Sequence, residues 1–427
     1  PLRLVGSEMC IRDRYMDKLG AEAKQASKVL SQASEEMKNE ALMLISSEIE
    51  SRRSEILEEN KKDLEAAKEK SIGSALIDRL ELNDARIDSM ISGLKVVSEL
   101  PDPIGEMTDM DPTPSGIKVS KMRVPLGVVG IIYESRPNVT ADAAALCLKS
   151  GNACILRGGS EAISSNKIIW NCLQKGLELS GLPKECIQLV ETTDREAVKT
   201  LLHLDSYLDV IIPRGGKGLV KLISEESRVP VIKHLDGICH VYIDKSANLE
   251  KAEAITLNAK TYRYGICGAM ETLLVHSEMA KIVLPKLSIE FLNKGVELRG
   301  CKKTLEVIDA TEATEEDWST EYLGPILSIK IVENLIEAVD HIQMYGSNHT
   351  DSIIAEDQDA VAVFFKNVDS SSVMHNLPTC WADGFEYGLG AEVGISTDKI
   401  HARGPVGLEG LTSQKFIVIG NSQLRGI

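Results

Sequence analysis

The chain has 427 residues, of which 43% are hydrophobic and 26% charged, and its formal net charge is −16. This length allows two or three domains with large cores, and the composition is that of a folded globular protein rather than of a disordered one. The acidic excess argues against nucleic acid or an anionic membrane as a partner, since either would need a basic face.

Helices are the first elements that the sequence predicts. Residues 1–15 fit no later element, and we interpret them as an extraneous extension before a natural start at Met16. Over 16–70, apolar residues recur every three or four positions, which indicates a pair of surface helices. A further helical pattern covers 77–100 and ends at a proline-rich turn. Residues 105–124 are expected to form an extended hairpin.

Short apolar runs then alternate with helical segments. The predicted strands are 128–133, 153–156, 187–190, 210–212 and 231–232, and the helices between them include 141–149, 164–179 and 195–202. This alternation is typical of a parallel sheet covered by helices on both faces. It predicts a nucleotide-binding α/β domain.

A second α/β block follows the first. Its predicted elements are strands at 241–243, 272–275 and 326–332, helices at 249–257, 279–295 and 334–344, and further apolar runs at 352–355 and 362–365. A last strand at 416–419 belongs to neither lobe. Two α/β lobes of similar size predict a ligand cleft between them.

Cys267 is the first candidate for a catalytic residue. Glycines at 265 and 268 flank it, which suits an exposed nucleophile approached by a carbonyl group. A buried core cysteine is the alternative. The nine cysteines form no CxxC pair and the histidines show no metal-ligand spacing, so neither disulfides nor a metal site is expected. This cysteine usage fits a reducing, cytoplasmic location.

Two glycine-rich turns each lie between a predicted strand and a predicted helix. Exposed backbone amides and helix N-termini attract anions, so both turns suit a phosphate-bearing cofactor. The residues assigned to it are Arg157, Gly158, Gly159, Ser160 and Glu161 in the first turn, and Arg214, Gly215, Gly216 and Lys217 in the second. The turns match neither GxGxxG nor a Walker loop, and an ordinary glycine-rich turn remains the alternative for the first.

Asn138 lies in the loop after the strand predicted at 128–133. Exposed polar side chains in such loops are often functional, and this amide could donate to an oxyanion. A helix N-cap or turn residue is the alternative role.

Several long segments resemble a known family. Residues 127–140, 143–153 and 392–412, both glycine-rich turns and the Cys267 segment closely resemble the gamma-glutamyl phosphate reductases, or glutamate-5-semialdehyde dehydrogenases, of the aldehyde dehydrogenase superfamily. The resemblance extends from about Met16 to the C-terminus. It implies an α/β fold with two Rossmann-like parallel-sheet lobes and a small β oligomerisation hairpin.

The resemblance also implies a domain organisation. The expected parts are an NADPH-binding domain at 16–104 and 125–236, a catalytic domain at 237–375, a return to the cofactor-binding domain at 376–404, and an oligomerisation hairpin made from 105–124 and 405–427.

The implied activity is the NADPH-dependent reduction of L-glutamyl 5-phosphate to L-glutamate 5-semialdehyde with release of phosphate, the second step of proline biosynthesis from glutamate. Cys267 would be the nucleophile that carries a thioacyl group, and Asn138 would help to form the oxyanion hole. Glu321 would hold the ribose of the nicotinamide half of NADPH. The expected partners are this substrate, further copies of the chain and, transiently, glutamate 5-kinase.

The substrate is an anion, so its carboxylate and phosphate need cationic partners. Arginine is favoured where a carboxylate is held by two hydrogen bonds. The candidates are Arg136, Lys260, Arg263 and Arg403.

One departure from hydrolytic aldehyde dehydrogenases bears on the chemistry. Where they carry a general-base glutamate, this chain has His234 in the segment 234–237. A missing base protects a thioacyl group from water, which favours a reductase. Whether His234 is structural or functional stays open. The alternatives are another acylating or hydrolytic aldehyde dehydrogenase, or a non-catalytic nucleotide-binding relative.

Overall fold

The computed structural model describes residues 2–425, and it describes side chains for 11–73 and 76–425. The chain folds into two compact units. The first contains the chain up to Lys233 together with Leu389–Gly394 and the segment from Val406, and the second contains His234–Gly388 and Ile395–Pro405. Residues 1, 426 and 427, at the ends of the predicted extension and hairpin, lie outside the described part.

The first unit alternates helices and strands in the predicted order. Its elements up to Lys233 are α1 (Leu2–Leu30), α2 (Glu35–Ser51), α3 (Arg53–Glu69), α4 (Ser74–Leu80), α5 (Asp84–Glu99), β1 (Met107–Asp109), β2 (Lys118–Pro125), β3 (Val128–Tyr133), α6 (Val139–Lys149), β4 (Ala153–Gly158), α7 (Ile163–Ser180), β5 (Ile187–Leu189), α8 (Glu196–Leu202), β6 (Val210–Arg214) and α9 (Lys217–Glu226).

A four-stranded parallel sheet with strand order β5-β4-β3-β6 forms the centre of this unit. Every residue of β3 and β4 is buried, as expected for strands covered on both faces. The parallel arrangement brings the loops that follow β3, β4 and β6 to one edge of the sheet. Ligands of open α/β sheets bind at such carboxyl edges.

The second unit is built in the same way. Its elements are β7 (Cys239–Ile243), α10 (Leu249–Thr261), β8 (Met270–His276), α11 (Ser277–Asn293), β9 (Glu297–Gly300), α12 (Lys302–Leu305), β10 (Thr311–Glu312), β11 (Ile326–Val332), α13 (Leu335–Tyr345), β12 (Thr350–Ile354), α14 (Gln358–Asn367), β13 (Ser372–His375), β14 (Ile395–Ser396) and β15 (Gly404–Pro405). Seven strands form a parallel sheet in the order β10-β9-β11-β8-β7-β12-β13.

A small antiparallel sheet joins two distant segments of the first unit. β16 (Thr412–Ile419) pairs along its whole length with β2, and β1 pairs with the other edge of β2. The hairpin predicted at 105–124 and the strand predicted at 416–419 thus lie in one three-stranded sheet.

The predicted fold class is confirmed, although several local predictions were wrong. The stretch 16–70 forms parts of three helices rather than a pair, and 77–100 holds two helices separated at Glu81–Asn83. The apolar run 362–365 lies inside α14, and 231–232 forms only a single bridge between Ile211 and Val231. Short apolar runs do not distinguish a buried strand from the inner face of a helix.

The predicted domain limits can be compared with the compact units. Of the segment 376–404, only Leu389–Gly394 groups with the first unit. α1 continues through Met16, and Tyr15 Oη accepts a hydrogen bond from the Glu191 backbone N–H at 3.1 Å. Residues 11–15 therefore belong to a packed helix, although they were predicted to fit no element.

Within the described residues, none of the helices combines the length and the apolar character that crossing a bilayer requires.

Candidate active site

Cys267 lies in a turn that leads from α10 into β8, and it is partly exposed. Its backbone carbonyl accepts a hydrogen bond from the Cys239 thiol at 3.1 Å. Burial raises the pKa of Cys239 well above its usual range, so this neighbour stays a neutral thiol donor. Of the two cysteines, only Cys267 is partly exposed to solvent.

Gly237 packs directly against the backbone of Cys267. A Cβ at this position would lie 2.2 Å from the Cys267 carbonyl oxygen and 2.6 Å from its Cα. The backbone N–H of Gly237 donates to Glu321 Oε1 at 2.9 Å. The predicted ribose-binding glutamate therefore holds the segment against which Cys267 rests.

Two histidines lie close to the sulfur of Cys267. One ring nitrogen of His234, one of His349 and Cys267 Sγ all lie within 4.8 Å of one another. The histidine rings meet edge to face, with centroids 5.4 Å apart. The motif at 234–237 drew attention to His234 in the sequence, whereas His349 was missed, because no spacing pattern connects His349 to the cysteine.

Lys260, predicted to bind the substrate, is fully buried in α10. Its Nζ donates to Glu271 Oε2 at 2.5 Å. Burial raises the pKa of Glu271 and lowers that of Lys260, while the attraction between the two charges opposes both shifts. Glu271 Oε1 also accepts the Leu323 backbone N–H at 3.2 Å, so this ion pair supports the loop that carries Glu321.

Two other cationic candidates of the second unit have different surroundings. Arg403 donates to Asp369 through both terminal nitrogens, at 2.7 Å to the carboxylate and 2.6 Å to the backbone carbonyl. Arg263 is exposed in the turn between α10 and Cys267. Arg263 is therefore nearer in sequence to the cysteine and more open to solvent than Lys260.

The first glycine-rich turn follows β4. The Arg157 guanidinium is buried, and its Nη1 donates to the Gly158 carbonyl at 2.5 Å, while its Nε has no hydrogen-bond partner among the described residues. Glu161 Oε1 accepts from the Ser135 backbone N–H at 2.6 Å and from its hydroxyl at 2.8 Å. A buried arginine with an unused donor fits a site for a phosphate or a sugar hydroxyl.

The second turn follows β6. Gly215 has room only for hydrogen, since a Cβ would lie 2.5 Å from Glu134 Oε2 and 2.6 Å from a Leu219 methyl. Glu134 Oε2 accepts the backbone N–H of Gly216 at 2.9 Å, so this amide is already bonded to a carboxylate. Lys217 begins α9 and is exposed. Of the two turns, the first therefore fits a bound anion better.

A cavity of about 340 Å³ opens beside the first turn. Ser160 and Glu161 line it from the turn, Lys62 lines it from within α3, and Lys70 lines it from the chain just beyond that helix. Neither lysine belongs to a motif, so only the tertiary structure adds them to the candidate cofactor site. Together with Arg157, they make a dinucleotide phosphate chemically acceptable at this edge of the sheet.

Asn138 occupies the N-cap position of α6, although its side chain makes no capping hydrogen bond. Its Nδ2 donates instead to Asp142 Oδ2 at 2.8 Å. Burial raises the pKa of Asp142 to about 6, and the hydrogen bond from Asn138 partly opposes this shift. The amide is therefore oriented by a carboxylate and keeps a second N–H for another acceptor. Arg136, in the same loop, is half-buried.

Comparison with known proteins agrees with this description. The sequence profile of the aldehyde dehydrogenase family matches residues 13–294. The crystal structure of a gamma-glutamyl phosphate reductase from Thermotoga maritima shares 44% identity with a TM-score of 0.94, covering 96% of this chain and 99% of that one. The enzyme of the same name from Saccharomyces cerevisiae shares 31% identity with a TM-score of 0.54 and the same coverage.

A more distant structure shows the same fold. The acetylating aldehyde dehydrogenase from Geobacillus thermoglucosidasius has 18% identity and a TM-score of 0.70, covering 98% of this chain and 99% of that one. Members of the aldehyde dehydrogenase family use nicotinamide cofactors. The chain therefore belongs to the aldehyde dehydrogenase family, in its gamma-glutamyl phosphate reductase group, and is an oxidoreductase.

Proposed function

We propose that the chain reduces L-glutamyl 5-phosphate to L-glutamate 5-semialdehyde with NADPH and releases phosphate, the second step of proline biosynthesis from glutamate. The observation that supports this most is the similarity over nearly the whole chain to two gamma-glutamyl phosphate reductases. A partly exposed cysteine in a tightly packed turn is consistent with it, because the reaction needs an accessible nucleophile.

Cys267 is the proposed nucleophile. Its sulfur attacks the γ-carbonyl carbon of the acyl phosphate, a tetrahedral oxyanion forms, and the bond to the phosphate oxygen breaks to leave a thioester. Asn138 Nδ2 and the Cys267 backbone N–H are the proposed donors to the oxyanion. Loss of one such donor typically raises the barrier by roughly 3 kcal/mol.

The bound cofactor supplies the hydride that reduces the thioester carbonyl. Glu321 is proposed to hold its nicotinamide ribose. The residues proposed for the remainder are Arg157, Gly158, Gly159, Ser160, Glu161, Arg214, Gly215, Gly216 and Lys217. Arg157 is the best supported of these candidates, because its buried Nε–H has no hydrogen-bond partner among the described residues. Of the substrate candidates Arg136, Lys260, Arg263 and Arg403, we favour Arg263, because it is exposed close to Cys267 in the sequence, whereas Lys260 and Arg403 are held by carboxylates.

We infer that the chain forms homo-oligomers through the small sheet of β1, β2 and β16. Phe416, Val418 and Ile419 of β16 are each more than half exposed. Apolar surface of this kind is uncommon on an edge strand that has no partner. A transient complex with glutamate 5-kinase in the cytoplasm would shorten the time that the labile acyl phosphate spends in water.

The reaction in the reverse direction tests the proposal. Oxidation of glutamate 5-semialdehyde by NADP should depend strictly on added phosphate, because only phosphate returns the thioester to the acyl phosphate. Turnover without phosphate would identify a hydrolytic aldehyde dehydrogenase instead. Michaelis constants for NADPH and NADH test the cofactor, and comparable values would contradict the NADPH assignment.

A further inference from the structure

The order of the strands explains why two histidines lie beside Cys267. In the second unit β8, β7 and β12 are neighbouring parallel strands. Cys267 precedes β8, His234 precedes β7, and His349 comes directly before β12. Because parallel strands begin at the same edge of a sheet, the three side chains meet there, within 4.8 Å of one another.

The proton of His234 can be placed from its hydrogen bond. Its Nδ1 lies 3.1 Å from the backbone carbonyl oxygen of Ile395. A carbonyl oxygen can only accept, so Nδ1 carries the hydrogen, and in the neutral ring Nε2 has the lone pair. Nε2 is therefore the nitrogen that can take a proton. The same carbonyl would also stabilise the ring after protonation, because it accepts more strongly from an imidazolium.

His349 is less suited to carry a positive charge. It is fully buried, and charge on a buried imidazole is disfavoured by the loss of water. Its Nδ1 lies 2.9 Å from the Thr350 hydroxyl and 3.6 Å from the Cys239 thiol, and either group can donate or accept. His234 is half-buried, so water can compensate part of its charge.

We propose that His234 is the base for Cys267, and that the resting site holds a thiolate beside the His234 imidazolium. This inference rests on the proposed role of Cys267 as the nucleophile. His349 is assigned a positioning role beside the sulfur. The segment 234–237, which replaces the general-base segment of hydrolytic relatives, would then activate the cysteine and not a water molecule.

The protons balance over one turnover. The S–H bond of Cys267 breaks and an N–H bond forms at Nε2 of His234, without a change in total charge. After the sulfur has attacked the carbonyl carbon, the departing phosphate oxygen takes this proton from His234. Release of the aldehyde regenerates the thiolate, and one proton from solvent restores the imidazolium. The reaction thus consumes one proton for each acyl phosphate reduced.

Other titratable groups border this pair. Cys239 contacts the Cys267 carbonyl and lies 3.6 Å from the His349 ring, and Glu321 binds Gly237, which packs on the Cys267 backbone. Cys239 stays protonated because burial raises its pKa.

Iodoacetamide alkylates the thiolate and not the thiol, so the alkylation rate of Cys267 reports the fraction of this residue that is ionised. The rate is measured by peptide mass spectrometry from about pH 5 to 9. In the unmodified chain, the reactivity should reach its midpoint well below the usual value of about 8.5. In H234N it should be about 30-fold lower at neutral pH, because an ordinary thiol is only a few per cent ionised there. Asparagine keeps an N–H for the Ile395 carbonyl, so the structural contact survives.

Three further variants complete the experiment. H234Q keeps a side chain of similar length without a basic nitrogen and should behave like H234N. The experiment can therefore still be done if one of these two variants does not fold. H349N should leave the midpoint below that of an ordinary thiol. H203N replaces an exposed histidine of the first unit, whose Nε2 lies 3.2 Å from the Glu226 carbonyl, and should change nothing.

Three results would overturn the inference: an ordinary thiol midpoint in the unmodified chain, superimposable profiles for the unmodified chain and H234N, or a shift in H349N alone. The outcome is separable from that of the proposed function. Phosphate-dependent turnover together with superimposable alkylation profiles of the unmodified chain and H234N would refute only the role of His234 as the base. A low alkylation midpoint that depends on His234, in a chain that does not reduce glutamyl phosphate, would refute only the proposed substrate.

Discussion

Gly237 is the residue whose size matters most for the geometry at Cys267. The Cys267 backbone leaves no space for a Cβ there, and the Gly237 N–H is bonded to Glu321. Gly265 has no atom within 4 Å of the corresponding position, and neither Gly265 nor Gly268 has a positive φ. The flanking glycines that drew attention to Cys267 are therefore not required by backbone conformation, whereas Gly237 is required by packing.

The variants G237A and G265A form a matched pair. We expect G237A to push the Cys267 turn away from Gly237 and to lower kcat/KM by about 100-fold, the typical effect of a misplacement of about 1 Å. G265A adds the same methyl group into open space and should retain activity within a few fold. Steady-state kinetics of both proteins is the measurement, and equal losses in both would contradict the packing argument.

Asp317 supports the loop that carries Glu321. Its carboxylate accepts from Arg299 at 2.6 Å, from the Thr314 backbone N–H at 2.7 Å and from the Tyr322 hydroxyl at 2.7 Å. Burial alone would raise its pKa, but these hydrogen bonds outweigh burial and hold the pKa at about 2. The carboxylate therefore stabilises the fold above the pKa of an unfolded aspartate, and this contribution is lost as the pH falls toward 2.

The variant D317N should lower the free energy of unfolding at neutral pH by about 1–3 kcal/mol, the range for hydrogen bonds to a charged group. The difference from the unmodified chain should shrink between about pH 4 and 2, where Asp317 becomes protonated. Urea unfolding across this range is the measurement. D309N, which changes an exposed carboxylate, is the control. A difference that is independent of pH would show that charge plays no part.

At the scale of elements, the small sheet of β1, β2 and β16 carries exposed apolar side chains. β16 is registered with β2 from Thr412↔Pro125 to Ile419↔Lys118, so residues far apart in the chain form the central strand β2 and the edge strand β16. Phe416 and Val418 lie on one face, since side chains alternate along a strand. Both are largely exposed, which fits an interface between copies.

Replacing Phe416 and Val418 together by lysine should reduce the proposed oligomer to a smaller species, because two charges would be buried without partners at the proposed interface. Light scattering after size-exclusion chromatography measures the mass. Q414K places a charge on the same face of β16 without removing apolar surface and serves as the control. An unchanged mass in the double variant would exclude this sheet as the interface.

Local periodicity predicted the elements unevenly. The alternation of buried strands and helices in 128–226 was predicted within a few residues, because both faces of those strands are buried. The apolar run 362–365 did not by itself indicate an element, since four consecutive apolar residues fit α14 as well as a strand. The break between α4 and α5 was missed, although Asn83 caps α5 by accepting the Arg86 N–H at 3.0 Å.

At the scale of the molecule, the two glycine-rich turns proposed for the cofactor belong to the first compact unit, whereas the proposed nucleophile Cys267 belongs to the second, together with Glu321. The variant C267A should therefore abolish reduction of glutamyl phosphate and still bind NADPH with an affinity close to that of the unmodified chain. Activity assays and fluorescence titration with NADPH are the measurements. Residual turnover in C267A would remove Cys267 from the mechanism, and loss of NADPH binding would show that the two functions are not separable.

The sequence by itself determined the fold class, the two glycine-rich turns and the choice of Cys267 as the candidate nucleophile. These follow from the local order of residues along single segments. The tertiary structure decided what surrounds Cys267, namely Gly237, His234 and His349, and it placed Lys260 and Arg403 in ion pairs. His234 and His349 lie beside Cys267 because the strand order β8-β7-β12 brings together the starts of three strands that no sequence spacing connects.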